Sequence, residues 1–188
     1  TVVAVAQTLS KGAVAAYIRQ HAGHGVRPVA SPTRSPRAGE IDGVQYFFVD
    51  EAEVDRMLRY NELLEWATVH NSYRYGTPRK PVEKALADGK NVLLEIVLQG
   101  ARTVRSHMPE ARLIFLAPPS WDELVRRLRG RGTESPEEQA RRLRTAKVEL
   151  AAEGEFDAVV VNDDVARAAD RVVHLMTGST IEEQHLHG

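Results

Sequence analysis

Four stretches of this chain are apolar with almost no polar alternation: residues 1–6 (TVVAVA), 91–98 (NVLLEIVL), 113–117 (LIFLA) and 158–162 (AVVVN). A strand with no polar face is buried on both sides, as in a parallel sheet packed between helices. A stretch of helical character follows each one, at 13–21, 100–107, 120–129 and 164–176. Strand followed by helix, four times over, predicts an α/β fold with a parallel sheet. Ser10, Asp50 and Ser120 precede helical stretches and suit N-caps, and Gly89 suits the position just past a helix over 82–88. A helix over 51–60 places Val54, Met57 and Leu58 on one face, and 136–152 reads as a long polar helix.

The middle of the chain breaks this alternation. Residues 22–45 are rich in Gly, Pro, Ser and Arg and read as loop and short strand. Residues 46–49 (YFFV), 65–69 and 73–76 read as short strands. The block 30–80 is therefore expected to be a β-rich lobe inserted into the α/β core.

At 188 residues the chain fits one domain with an insertion. With 43% hydrophobic and 27% charged residues, wholesale disorder is excluded. Lys plus Arg (25) nearly balances Asp plus Glu (26), which argues against a generic nucleic-acid or membrane-surface binder. The absence of cysteine removes disulfides, zinc–thiolate sites and a cysteine nucleophile. No apolar run approaches the ~20 residues that span a bilayer, and no export signal is visible, so a cytoplasmic protein is expected. His21, His24, His185 and His187 have loose spacing and no carboxylate cluster, so no metal site is expected on them.

Three groups of residues can carry chemistry. Arg34 and Arg37 lie three apart in a Pro-stiffened loop and can converge on one phosphate or carboxylate, although the same pair suits a solvated surface. Glu65 can accept from the N–H groups of a base edge, and Tyr73 and Tyr75 can donate to a phosphate, although aromatic residues here also suit packing. The stretch 126–144 holds seven arginines around Gly130 and Gly132, which suits a hinged lid over a polyphosphate or a solvated charged face.

Taken in order, several blocks resemble the guanylate kinase family, the ATP:GMP phosphotransferases: 33–48 (TRSPRAGEIDGVQYFF), 62–67 (ELLEWA), 75–78 (YGTP), 92–100 (VLLEIVLQG), 108–121 (MPEARLIFLAPPSW), 128–134 (LRGRGTE) and 159–164 (VVVNDD). The resemblance implies a P-loop nucleoside monophosphate kinase fold, with the core formed by 1–29, 81–125 and 146–188. It makes 30–80 the GMP-binding lobe and 126–145 the lid. It places Arg34, Arg37, Tyr46 and Tyr75 on the GMP phosphate and Glu65 and Thr77 on the guanine edge. Glu95 matches an acidic position on the central strand. Lys11, Arg127, Arg131 and Arg142 would serve the transferring phosphates, and Asn162 would lie near the adenine. ATP and Mg²⁺ are the implied co-substrate and ion.

The departures cluster on the ATP side. Val5, Thr8 and Ser10 stand where the family has phosphate-loop glycines, whose backbone approaches the phosphates closely. Gly12 and Ala13 stand where it has a Mg²⁺-binding serine and a threonine. Ala30, Pro32 and Val97 replace a serine, a threonine and an acid nearer the acceptor. The expectation is a chain that binds GMP or a related phosphomonoester and transfers phosphate very weakly or not at all. The alternatives are a working guanylate kinase with an unusual donor loop, a non-catalytic nucleotide sensor, a phosphopeptide-binding module, or recruitment to another group transfer. No protein partner is identified.

Overall fold

A computed structural model describes residues 1–7, 12–21, 26–27, 30–43, 46–69, 73–130, 132 and 134–178. Five parallel strands form the core sheet: β1 (Val2–Gln7), β2 (Val26–Arg27), β6 (Asn91–Ile96), β7 (Arg112–Ala117) and β8 (Ala158–Val161). Their order is β2-β6-β1-β7-β8, with β1 central. The alternation of β1 explains both layers. Val3 and Val5 face α1 (Ala13–His21) and α7 (Val165–Thr177), where Val14, Ile18, Val172 and Val173 are buried. Val2, Ala4 and Ala6 face the other side, with Val82 of α3 (Arg79–Ala87) and Ala101 and Val104 of α4 (Leu98–His107). Every position of β1 up to Ala6 is thus covered, as its unbroken apolar run requires.

A second, antiparallel sheet is made of β3 (Ser31–Pro32), β5 (Tyr73–Pro78) and β4 (Leu63–Val69), in that order. Its helix α2 (Glu51–Arg59) is capped by Asp50, whose side chain accepts from Glu53 N–H at 2.7 Å. Two helices, α5 (Trp121–Arg129) and α6 (Pro136–Ala151), follow β7, each N-capped by a serine, Ser120 and Ser135. Among the described residues no helix is long and apolar enough to cross a membrane.

β4 and β5 each run two residues longer than expected, starting at Leu63 and ending at Pro78, and three other boundaries differ from the sequence expectation. The strand expected at 46–49 is not one; only Tyr46 makes an isolated bridge, to Asp42. Phe47 and Val49 N–H donate to Ala30 and Pro32 carbonyls, but Pro32 has no N–H to return, and Phe48 N–H turns to the Asp42 carboxylate. The strand expected over 91–98 ends at Ile96; Val97 is the N-cap of α4, which starts two residues before the expected 100. Helix α3 starts at Arg79 and accommodates Pro81 in its first turn, where a missing N–H costs no bond.

The register aligns the carboxyl ends of β1, β6 and β7: Ala6 pairs with Ile96, and Gln7 with Leu116. In open parallel sheets ligands bind beyond this edge. Gly12, Val97 and Asn162 all leave the sheet there, and β4 and β5 approach it through α4.

Candidate functional site

On the antiparallel sheet, Glu65 of β4 and Thr77 of β5 are register partners. Both are 1% exposed. Thr77 Oγ1 donates to Glu65 Oε1 at 2.6 Å. Glu65 Oε2 is buried without a hydrogen-bond partner. It lies over the first turn of α4, 2.7 Å from where a Cβ on Gly100 would stand, so only glycine permits this approach. Burial pushes the Glu65 carboxyl up to about 7, against the opposing pull of the Thr77 hydrogen bond. Two residues earlier on the same face of β5, the Tyr75 hydroxyl accepts from Val97 N–H at 3.1 Å. That leaves the phenol proton free to donate. Burial raises the Tyr75 hydroxyl well above its ordinary range, with the Glu65 charge second, so the proton stays on near neutral pH.

The loop after β3 carries Arg34 and Arg37. Arg34 Nη1 and Nη2 grip Glu40 Oε1 and Oε2 end-on at 2.6 and 3.0 Å. Arg37 N–H donates to the same Oε1 at 2.7 Å, while its side chain is exposed. The Arg34 hydrogen bonds hold Glu40 down to about 2. The guanidinium lies among three rings, 5.5 Å from the Tyr46 centroid, 5.6 Å from Phe48 and 5.8 Å from Tyr73. Its Nε is buried and has no partner. Glu40 therefore occupies the end of the fork, Tyr73 also hydrogen-bonds the guanidinium, and Nε is left for another anion.

The turn between β1 and α1 is built differently. Gly12 has φ +71°, and its carbonyl accepts from Ala16 N–H at 2.8 Å, which opens α1. A Cβ at Gly12 would collide with Glu95 Oε2. The other oxygen of Glu95 accepts from Arg19 Nη1 at 2.5 Å. Neither Gly12 nor Ala13 has a hydroxyl to offer Mg²⁺, and Glu95 is already shared with a guanidinium. Among the described residues no group of three or more His, Asp or Glu could hold a metal. Among the described residues of this turn, then, none offers Mg²⁺ a hydroxyl ligand. Thr8, Ser10 and Lys11 lie outside the described residues.

In the arginine-rich segment, Arg127 Nε donates to Glu123 at 3.1 Å and its Nη2 to the Asn162 carbonyl at 3.4 Å. Asn162 N–H is bonded to the Ala117 carbonyl at 2.8 Å, at the end of β7. Arg142 turns onto Glu134. Arg131, like His24, His185 and His187, lies outside the described residues.

The expected residues thus fall mainly into four places: Glu65, Tyr75 and Thr77 under α4; Arg34 and Tyr46 beside Glu40; Glu95 against Gly12; and Arg127 with Asn162 beyond β7. Two functional candidates escape the sequence reading. Glu40 lies three residues after Arg37 in one quoted block, and that spacing is its only signal. Arg19 lies two helical turns from Gly12 and meets Glu95 through the fold alone.

Comparison with known proteins follows this geometry. The guanylate kinase family model matches residues 10–178, which leaves residues 1–9 outside the matched span. A guanylate kinase of Leifsonia xyli is 66% identical over 168 residues, covering 89% of this chain. The chain spans 66% of that relative's length. A guanylate kinase of Nocardia farcinica is 55% identical over 172 residues, covering 91% of this chain and 89% of its own length. The crystal structure of guanylate kinase from Anaplasma phagocytophilum superposes with a TM-score of 0.72 at 30% identity, covering 98% of this chain and 92% of that one.

Proposed function

The chain belongs to the guanylate kinase family, and from that premise we propose that it binds GMP between the antiparallel sheet and the carboxyl edge of the parallel sheet, and transfers phosphate from ATP slowly. The observation that carries the binding half is the buried, unpartnered Oε2 of Glu65 beside the Thr77 hydroxyl. A guanine edge offers adjacent N–H donors, and an ionised carboxylate is acceptor-only. In this reading 30–80 is the acceptor lobe. The phosphate sits on Arg34 Nε and the hydroxyls of Tyr46 and Tyr75, with Arg37 reaching it from solvent. Glu40 holds Arg34 by its far end and so orients that Nε.

The donor half of the proposal rests on the β1–α1 turn. The family's chemistry uses ATP with Mg²⁺, which would supply charge neutralisation between the phosphates. Gly12 and Ala13 stand where the family has the hydroxyl for the ion, and no step is assigned through it. Phosphoryl transfer depends almost wholly on positioning and electrostatic stabilisation, so a poor cradle costs rate directly.

One observation favours a faster kinase. Arg127 is already docked on the Asn162 carbonyl, as an arginine of a lid (126–145) serving a bound triphosphate would be.

Calorimetric titration with GMP tests the binding half. Saturable binding is expected, weakened about 10–100-fold by Arg34→Ala, the usual cost of a charge-assisted bond. Absence of binding, or equal affinity for AMP, overturns it.

A further inference from the structure

We propose that Arg19, in the last turn of α1, is a positioning residue for the acceptor phosphate, acting through Glu95 and Tyr46. The proposal rests on the reading of this cleft as a GMP site.

Arg19 is seven residues beyond Gly12, roughly 10 Å along the helix axis. Helical side chains lean towards the helix N-terminus, so a long arginine on this face reaches back over about two turns. Its Nη1 lies 2.5 Å from Glu95 Oε1. The two side chains are 20% and 23% exposed, so the pair is only weakly screened by solvent. The same guanidinium stands 5.9 Å from the Tyr46 ring centroid, and that of Arg34 stands 5.5 Å from it. Tyr46 is therefore held by two cations, one from the parallel core and one from its own lobe. A continuous line of contacts runs from Gly12 through Glu95, Arg19, Tyr46 and Arg34 to Glu40.

The charge arithmetic gives this line its function. Glu95 is the acid packed against the backbone at the start of α1. Unpaired, it would oppose any phosphate brought to that helix end. Paired with Arg19 it is neutral, as Arg34 is with Glu40, so loss of Arg19 alone would leave a net negative charge beside Tyr46. Arg19 also fixes the tyrosine ring between the two sheets. A residue that served only to stabilise the fold would influence nucleoside and nucleotide binding alike. A residue that shapes the phosphate site affects the nucleotide alone.

The test is competition binding of GMP and of guanosine to the full chain and to Arg19→Met, Arg19→Lys and Arg19→Met/Glu95→Gln, with thermal unfolding of each. Arg19→Met is expected to weaken GMP about tenfold and leave guanosine within about twofold, as loss of one partly buried charge near a phosphate implies. Arg19→Lys is expected to retain most of the GMP affinity. The double variant is expected to regain at least half of the loss, because the unpaired carboxylate is gone. Unchanged GMP binding by Arg19→Met overturns the proposal while leaving the GMP reading intact. So do equal losses for GMP and guanosine. No GMP binding by the unaltered chain overturns both.

Discussion

The acceptor side and the donor side of this cleft are built to different standards. On the acceptor side three functional side chains have a second residue holding them: Thr77 for Glu65, Glu40 for Arg34, and Val97 N–H for Tyr75. Each support leaves one group free to meet a ligand. On the donor side the supports bind one another. Glu95 fills the space at Gly12 and is closed off by Arg19. A binding site needs unsatisfied groups held rigidly; among the described residues the acceptor side has Glu65 Oε2 and Arg34 Nε, and the donor side has Gln7 Oε1 at the end of β1.

The contrast can be broken most strongly at Glu65. Glu65→Gln removes the acceptor and is expected to lower GMP affinity about 10–100-fold, the cost of leaving a buried donor edge mispaired. The same variant is expected to unfold at a higher temperature at pH 8. The sign follows from linkage: folded Glu65 keeps its proton up to about 7, whereas the unfolded carboxyl releases it near 4.5. Stability from this group therefore falls as pH rises through that window, and the gain in Glu65→Gln should vanish at pH 4. Lower stability of the glutamine variant at pH 8 would contradict the buried, ionised carboxylate.

A smaller effect is expected at Gly12. Gly12→Ser supplies the missing hydroxyl, yet it forces a side chain into positive φ and onto Glu95. A loss of about 1–3 kcal/mol in urea unfolding is expected, with no gain in GDP formation. A rise in rate would show that the turn opens readily, and would erase the difference between the two sides.

Next comes pH. Between pH 8 and pH 6 the Glu65 carboxylate passes from mostly ionised to mostly protonated, so guanosine affinity should fall about tenfold. Guanosine is the probe because it lacks a titrating phosphate. A flat profile in the unaltered chain, or an unchanged slope in Glu65→Gln, would assign the effect elsewhere. The smallest effect is expected for Arg142→Ala. Arg142 faces Glu134, so GMP affinity should stay within about twofold, the scale of a surface pair.

The core could be read from the sequence because a doubly covered strand has no polar face, and 1–6, 91–98, 113–117 and 158–162 are such runs. The acceptor-side residues were assigned through the resemblance of blocks such as 33–48 to the family, because spacing alone left Arg34 and Arg37 open to a solvated surface reading. Three features were not readable. The strand expected at 46–49 fails because Pro32, fourteen residues before Tyr46, cannot return a hydrogen bond. The start of α4 is fixed by Val97 N–H meeting Tyr75, a contact across 22 residues. The Arg19–Glu95 pair spans 76 residues, and nothing local announces it. Each is a long-range event, which a pattern confined to neighbouring residues does not encode.

The most direct measurement is the steady-state rate of GDP formation from ATP and GMP with Mg²⁺, read by chromatography on a sample whose GMP binding has been titrated. Binding with turnover at least a hundredfold below about 1 s⁻¹ is the expected result, because kinases of ordinary competence run at about 1–100 s⁻¹. Turnover within that ordinary range would contradict it, and would mean that the β1–α1 turn holds ATP despite its sequence.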